Sequence, residues 1–170
     1  MDREFLTGRF QQVSANGVLS DPVPVISGVP QGTVIGPILF VIMISDLGKE
    51  LIFSTSSKYA DDTKNTAKIS TPNDAENFQR ELDEKVYPWA PENNMCLNGE
   101  KFEHLRVGNN LGYEKHTYKD PTGKIIIEKD HIKDLGVCIT NNLTWKKHIE
   151  KVVAKTRVMS GWVLRSFSTR

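Results

Sequence analysis

The sequence predicts an α+β fold, in which short strands and covering helices are followed by one basic helix. Three observations carry that prediction. Turn-forming dipeptides such as Asn16-Gly17 and Asn98-Gly99 punctuate short apolar runs, apolar residues recur at steps of three and four from Ala75 to Trp89, and the charge balance changes near residue 143. With 170 residues, 38% hydrophobic and 25% charged, the chain has the size and balance of one soluble domain or a large part of one. Disordered and collagen-like classes are excluded.

Phe10–Val13 and Val18–Leu19 flank Asn16-Gly17, whose two residues tolerate the positive φ of a tight turn, so a hairpin is expected there. Pro22 and Pro24 hold the following chain extended. Ser27-Gly28-Val29-Pro30-Gln31-Gly32-Thr33 must be a loop, and Pro37 then suits the first turn of a helix whose residues Ile38–Leu47 are apolar nearly all round. This helix is expected to be the most buried. A second hairpin is predicted from Leu51–Phe53 and Lys58-Tyr59-Ala60 on one side and Thr63–Ile69 on the other, with Asp61-Asp62 at its tip.

Thr71-Pro72 reads as an N-cap with proline at the first helical position, and Asp74 and Glu76 lie in the first turn. Ala75, Phe78, Leu82, Val86 and Trp89 then form the stripe of an amphipathic helix packed on a sheet, which Pro88 and Pro91 kink or end. Each interior proline costs roughly 3 kcal/mol in a regular helix. Short strands are expected over Met95–Val107 and Lys124–Ile139, broken by Asn98-Gly99, Pro121-Thr122-Gly123 and Gly136. A turn is also expected at Gly108. A last helix runs from Thr144, with Trp145, Ile149, Val152, Met159, Val163 and Phe167 on one stripe and Lys147, Lys151 and Lys155 in a row on another face.

Residues 143–170 hold seven lysines and arginines against Glu150 alone, a net charge of +6, so the preceding 142 residues carry −5. A basic helix on an acidic body suits a phosphate-backbone binder with a separate carboxylate site; a solvated helix face explains the same charges. Cys96 and Cys138 show no CxxC spacing and the first residues show no apolar signal region, which points to a reducing intracellular compartment, nuclear or cytoplasmic rather than secreted. The longest apolar stretch, Val34–Ile44, is 11 residues against the roughly 20 of a bilayer span, so no membrane partner is expected. The four histidines have no regular spacing with each other or with the cysteines, so no zinc is expected. GxSxG and P-loop patterns are absent, which removes the usual hydrolase and NTPase alternatives.

Adjacent carboxylates at a hairpin tip repel one another, and a hard divalent cation relieves that repulsion; Mg²⁺ takes one or two carboxylates and completes its shell with substrate phosphates. Asp61 is expected to be the firmer ligand and Asp62 an auxiliary one. Gly28 and Gly32 permit close approach of backbone to a ligand, and Gln31 between them offers a donor and an acceptor.

These segments resemble a known family, the reverse transcriptases of non-LTR, LINE-like retrotransposons of the Jockey or CR1 type. Val25–Phe40 is similar to the polymerase B motif and Tyr59-Ala60-Asp61-Asp62-Thr63-Lys64 to the catalytic C motif. Asn93-Asn94-Met95 through Asn98 and Lys101 is similar to the D motif, and Lys133-Asp134-Leu135-Gly136-Val137 to the E motif or primer grip. The resemblance implies a right-hand polymerase, with a partial palm of antiparallel sheet and covering helices over residues 1–142 and the start of a helical thumb over 143–170. It further implies two-metal nucleotidyl transfer, with Mg²⁺ or Mn²⁺ as cofactor and RNA template, DNA primer and dNTP as partners.

In that reading Asp61 and Asp62 are catalytic metal ligands, while Gly28, Pro30, Gln31, Gly32 and Tyr59 line the nucleotide and template pocket. Lys101 approaches the triphosphate as charge partner or proton donor, and reads equally as a surface lysine after a turn. Leu135 and Gly136 position the primer end, and read equally as a bulged strand end. Lys147, Lys151 and Lys155 hold backbone phosphates. The family's A motif, an Asp-bearing strand ahead of the B motif, has no counterpart: before Gly28 the only aspartates are Asp2 and Asp21. The fingers are likewise missing, so the isolated chain is expected to be inactive as a polymerase. The alternative is a non-catalytic nucleic-acid-binding remnant of a retroelement.

Overall fold

The computed structural model describes residues 6–108 and 115–167. Residues up to Lys49 together with Ser56–Asn65 form one compact unit, and Glu50–Thr55 with the residues from Thr66 onward form a second.

The first unit begins with four two-residue strands: β1 (Phe10–Gln11), β2 (Ser14–Ala15), β3 (Val18–Leu19) and β4 (Val23–Pro24). β2 and β3 pair across Asn16-Gly17, with φ of 51° and 79° at the two turn residues, so the Asn-Gly signal is met. The expected strand Phe10–Val13 is shorter. β1 turns outward to pair with β4, Phe10 opposite Pro24, which a proline permits because an edge position needs no donor.

Helix α1 (Ile35–Ile44) follows the glycine-bracketed loop, with Pro37 in its first turn as expected. Its predicted deep burial is not met. Only Gly36 and Ile44 of α1 are buried, while Ile38, Val41 and Ile42 are exposed, Ile42 to 63%. A helix apolar on every side needs neighbours on every side, and two-residue strands and a hairpin tip are too short to cover it.

Strands β5 (Ser54–Tyr59) and β6 (Asp62–Ala67) form the expected hairpin with shifted bounds: Leu51–Phe53 lies before the strand, and the two-residue turn is Ala60-Asp61, with Asp62 opening β6. The tip belongs to the first unit and the base to the second.

In the second unit, helix α2 (Pro72–Glu81) opens with a capping box: Thr71 Oγ1 accepts from Asp74 N at 3.2 Å, and Asp74 Oδ2 accepts from Ser70 N at 2.9 Å and Thr71 N at 2.8 Å. These backbone bonds hold the Asp74 carboxyl below its usual range. The helix continues as a π-helical turn over Leu82–Val86, where Tyr87 N bonds Leu82 O at 2.8 Å, and breaks at Pro88 before the short α3 (Trp89–Glu92). Proline at 88 has no N–H to continue the ladder. Asn94, at φ 53°, closes α3 by bonding Pro91 O while Met95 N bonds Ala90 O, a Schellman ending.

The predicted stripe is real: Ala75, Leu82 and Val86 are buried. It packs against irregular chain instead of the expected sheet. Phe78 meets Tyr118 edge-on at 5.5 Å, Tyr87 meets Phe102 at 5.8 Å, and the Tyr87 hydroxyl donates to Lys119 O at 2.9 Å. The strands expected over Met95–Val107 are also not formed. That stretch holds a 3₁₀ turn at Gly99–Lys101 and a single bridge from His104 to Glu128. Asn98 and Gly99 favour the turn, and Asp120 occupies the space beside it.

β7 (His131–Asp134) and β8 (Val137–Thr140) form a regular antiparallel hairpin across Leu135-Gly136, replacing the longer strand run expected from Lys124. Helix α4 (Lys146–Ser166) packs its first turns on β8. Its apolar stripe is uncovered, Trp145 being 63% exposed. Among the described residues the strands make four two-stranded sheets, not one extended sheet. No described helix is long and apolar enough to cross a membrane.

Candidate functional site

The β5–β6 hairpin is rich in Ser and Thr and carries Lys58, Lys64 and Asn65, so its faces are largely polar. Asp61 lies in the turn, Asp62 opens β6, and both are exposed beside the exposed Tyr59. Ala60, the other turn residue, has φ 51°. An L-residue there is strained by about 1–2 kcal/mol where glycine would not be, and such strain concentrates at functional positions. The backbone is thus bent sharply at the two carboxylates.

The glycine loop and the hairpin tip lie in the same compact unit. Gly28 and Gly32 both take φ 78°, which side chains rarely tolerate. Arg9 donates to Gly28 O at 2.6 Å, tying the loop to the strand region before it. Thr33 Oγ1 donates to Pro30 O at 2.9 Å and accepts from Gly36 N at 3.1 Å, so Pro30 and the start of α1 are clamped together. A Cβ on Gly36 would stand 3.1 Å from both Pro30 O and Thr33 Oγ1. Gln31 and Gly32 are exposed at the crest of this braced loop.

At the other end of α1, Lys58 of β5 donates to three carbonyls: Ile44 O at 3.3 Å, Ser45 O at 3.2 Å and Leu47 O. Sequence reasoning missed this contact.

The remaining predicted residues lie in the second unit. Lys101 is exposed in the 3₁₀ turn. Leu135 and Gly136 are the turn of β7–β8, at φ 46° and 88°, which replaces the bulge reading with a tight hairpin turn. Lys151 and Lys155 are exposed along α4, whereas Lys147 Nζ lies 2.9 Å from His131 Nδ1. Removal from water and the Lys147 and Lys151 ammonium groups hold the His131 imidazole below its ordinary pKa, so it is the acceptor in that pair. His148 Nδ1 accepts from Cys138 N at 3.2 Å, which pins the first turn of α4 to β8.

Two further carboxylates escaped the sequence reading. Glu81 is buried and gathers Ile52 N at 2.6 Å, Phe53 N at 3.1 Å, Ser54 N at 2.8 Å and Ser54 Oγ at 2.6 Å, so it fastens α2 to the start of β5. Burial opposes its ionisation, but these donors together hold its carboxyl below the usual range. Asp120 organises the Pro121-Thr122-Gly123 turn through Thr122 N, Thr122 Oγ1 and Lys124 N. The Asp-Pro-Thr-Gly sequence was its signal; Glu81, one polar residue on a polar helix, had none.

Asp61 and Asp62 are both exposed, and carboxylate oxygens are the donor type that a hard divalent cation takes. Among the described residues no group of three or more His, Cys, Asp or Glu is placed to hold a metal.

The class of protein follows from comparison with known families. The reverse transcriptase (RNA-dependent DNA polymerase) family matches residues 3–139, and the chain belongs to it, in agreement with the motif resemblance. Among individual proteins it is similar to the RNA-directed DNA polymerase from mobile element jockey of Drosophila melanogaster, 28% identical over 160 residues that cover 88% of this chain and 17% of that protein. The jockey polymerase of Drosophila funebris is 26% identical over 175 residues, 95% of this chain and 19% of that one. The probable RNA-directed DNA polymerase from transposon X-element of Drosophila melanogaster is 25% identical over 181 residues, 98% and 19% respectively. The chain spans less than a fifth of these relatives' length. No solved structure matches it.

Proposed function

We propose that the chain is part of the palm and the start of the thumb of an RNA-directed DNA polymerase, acting on RNA template, DNA primer and dNTP. The palm part is residues 1–142 and the thumb part 143–170. The observation that carries the site is the pair Asp61-Asp62 at a strained two-residue turn, in one compact unit with the braced Gly28–Thr33 loop.

In this reading Asp61 and Asp62 hold Mg²⁺ or Mn²⁺. Bound there, divalent ions lower the pKa of the primer 3′-hydroxyl and neutralise charge on the triphosphate. The exposed Gln31 side chain and the Gly32 backbone face nucleotide and template, with Pro30 and Gly28 fixing the loop and Tyr59 beside the acids. Lys101 neutralises or protonates the triphosphate end. Leu135 and Gly136, at a turn where the backbone is unobstructed, support the primer end. Lys151 and Lys155 take backbone phosphates, joined by Lys147 when it exchanges His131 for a phosphate.

Two carboxylates give one side of a metal shell, so the 170 residues by themselves are proposed to bind nucleic acid and metal without extending a primer. Primer extension on poly(rA)/oligo(dT) with Mg²⁺ or Mn²⁺ tests this: no extension is expected, while extension that disappears in Asp61→Ala would refute inactivity and support the site. Mn²⁺ binding that Asp61→Ala leaves unchanged would remove the metal site. The lack of a three-carboxylate group among the described residues favours a second reading, a non-catalytic nucleic-acid-binding remnant. Both readings require affinity for primer–template to fall steeply with salt and to weaken in Lys147→Glu plus Lys151→Glu. Only the polymerase reading requires Asp61-dependent Mn²⁺ binding.

A further inference from the structure

We infer that Lys58 is a positioning residue, tying the helix that leads from the Gly28–Thr33 loop to the strand that leads into Asp61 and Asp62. The inference rests on the site proposed above. Its basis is one side chain that makes three contacts. An ammonium group has three N–H donors, and Lys58 directs them to Ile44 O at the end of α1 and to Ser45 O and Leu47 O in the turn that follows it. Ile44 O belongs to the negative end of the helix dipole, and the last turn of α1 contributes no cation of its own.

The connection runs through rigid parts. At its N-terminus α1 is clamped to Pro30 through Thr33 Oγ1 and Gly36 N, so displacement of the helix carries the Gln31-Gly32 crest with it. At its C-terminus α1 meets Lys58, two residues before Ala60 and three before Asp61. Ala60 is held at φ 51°, where a non-glycine residue stays only if the surrounding chain fixes it. Lys58 adds to the β5–β6 pairing a contact that fixes the strand next to that turn. The loop and the acids, about thirty residues apart in sequence, are thereby braced by one helix and one lysine inside one unit.

A cap that only stabilises α1 and a brace that also orders the carboxylates predict different metal affinities. Removing a cation near two carboxylates favours a bound divalent cation by charge alone, so Lys58→Met would tighten Mn²⁺ binding if Lys58 acted only through its field. Positioning predicts the opposite sign. Mn²⁺ titration of the 170-residue chain, followed by electron paramagnetic resonance of the free ion, is paired with amide exchange at Ser45–Leu47. Lys58→Met is expected to speed exchange there and to weaken Mn²⁺ binding about tenfold, the scale on which outer-shell partners act. Lys58→Arg, which keeps charge and donors, retains wild-type affinity, and Lys58→Gln, which keeps an amide donor, falls between. Unchanged or tighter Mn²⁺ binding in Lys58→Met, or wild-type affinity in Lys58→Gln, overturns the inference while Asp61→Ala still abolishes binding. Binding indifferent to Asp61→Ala overturns the site itself and the inference with it.

Discussion

The two helices that flank the acid hairpin in sequence are fastened to it in opposite ways. α1 is apolar and largely exposed, and strand β5 reaches to its end with a cation, Lys58, that takes Ile44 O and two carbonyls just beyond it. α2 is polar with one buried stripe, and it reaches to the start of β5 with an anion, Glu81, that takes three backbone amides. The contrast separates hydrophobic content from burial. A helix is covered according to whether its apolar residues share one face that a neighbour can occupy, and α2 satisfies this with far fewer apolar residues than α1.

The largest effects are expected on the α2 side. Leu82 is only 7% exposed, and Leu82→Ala should cost about 3 kcal/mol in urea unfolding because the site cannot collapse fully. Glu81→Leu should cost a similar amount, about 3 kcal/mol, since three backbone N–H groups lose their acceptor at once. Its pH dependence has a definite sign. The folded carboxyl lies below the ordinary 4.5, so its contribution is complete above that value and is lost as pH falls through the folded pKa. Wild-type stability should therefore drop below about pH 4.5, with Glu81→Gln less stable at neutral pH and less sensitive to acid in that window. Equal acid sensitivity in the two proteins would assign the titration to other carboxylates, such as Asp74 and Asp120, which are also held below their usual range.

This asymmetry also marks where the sequence was readable. The N-cap at Thr71, the hairpin at Asn16-Gly17 and the acids near the β5–β6 tip depend on residues within about four positions of each other, so their signals are local, whereas the turn at Leu135-Gly136 reads in sequence as a bulged strand end. The Ala75–Val86 stripe was legible because its period is set by the helix itself. What covered it was not: Tyr118 and Phe102 arrive from distant chain that forms no strand. Burial of α1 was misread because an apolar composition shows that a helix can be buried and leaves open what buries it. Within the site, residue types identified Asp61, Asp62 and the glycine loop. Lys58 and Glu81 act through contacts 11 to 29 residues away, and no short pattern marks them.

A mid-sized effect tests the irregular chain that packs around α2. A Cβ on Gly99 would stand 2.7 Å from Asp120 Oδ2, and that carboxylate is held in place through its other oxygen by Thr122 and Lys124. Gly99→Ala should destabilise by about 1 kcal/mol, by displacing the turn that carries Lys101. Ala60→Gly works in the other direction on the hairpin. Relief of the positive φ at residue 60 should stabilise by about 0.5–1 kcal/mol, measured by thermal unfolding. A destabilised Ala60→Gly protein would mean that the alanine methyl makes a contact worth more than the strain.

The smallest expected effect is the one that most directly tests the contrast between the helices. Ile42→Ala removes nearly the same hydrocarbon as Leu82→Ala, and both residues lie in helical segments before a chain reversal or break. Ile42 is 63% exposed, so the transfer term is mostly absent and no cavity is left behind. Alanine also has the higher helix propensity, which offsets part of what remains. The net change should be below about 0.5 kcal/mol, within the range of ordinary surface substitutions. If Ile42→Ala instead cost as much as Leu82→Ala, α1 would be covered in solution, and the distinction between an apolar helix and a buried one would collapse. Repeating the measurement over a range of protein concentrations then separates the two ways of covering it: a cost that grows with concentration comes from association of copies through α1, and a constant cost from cover within one chain.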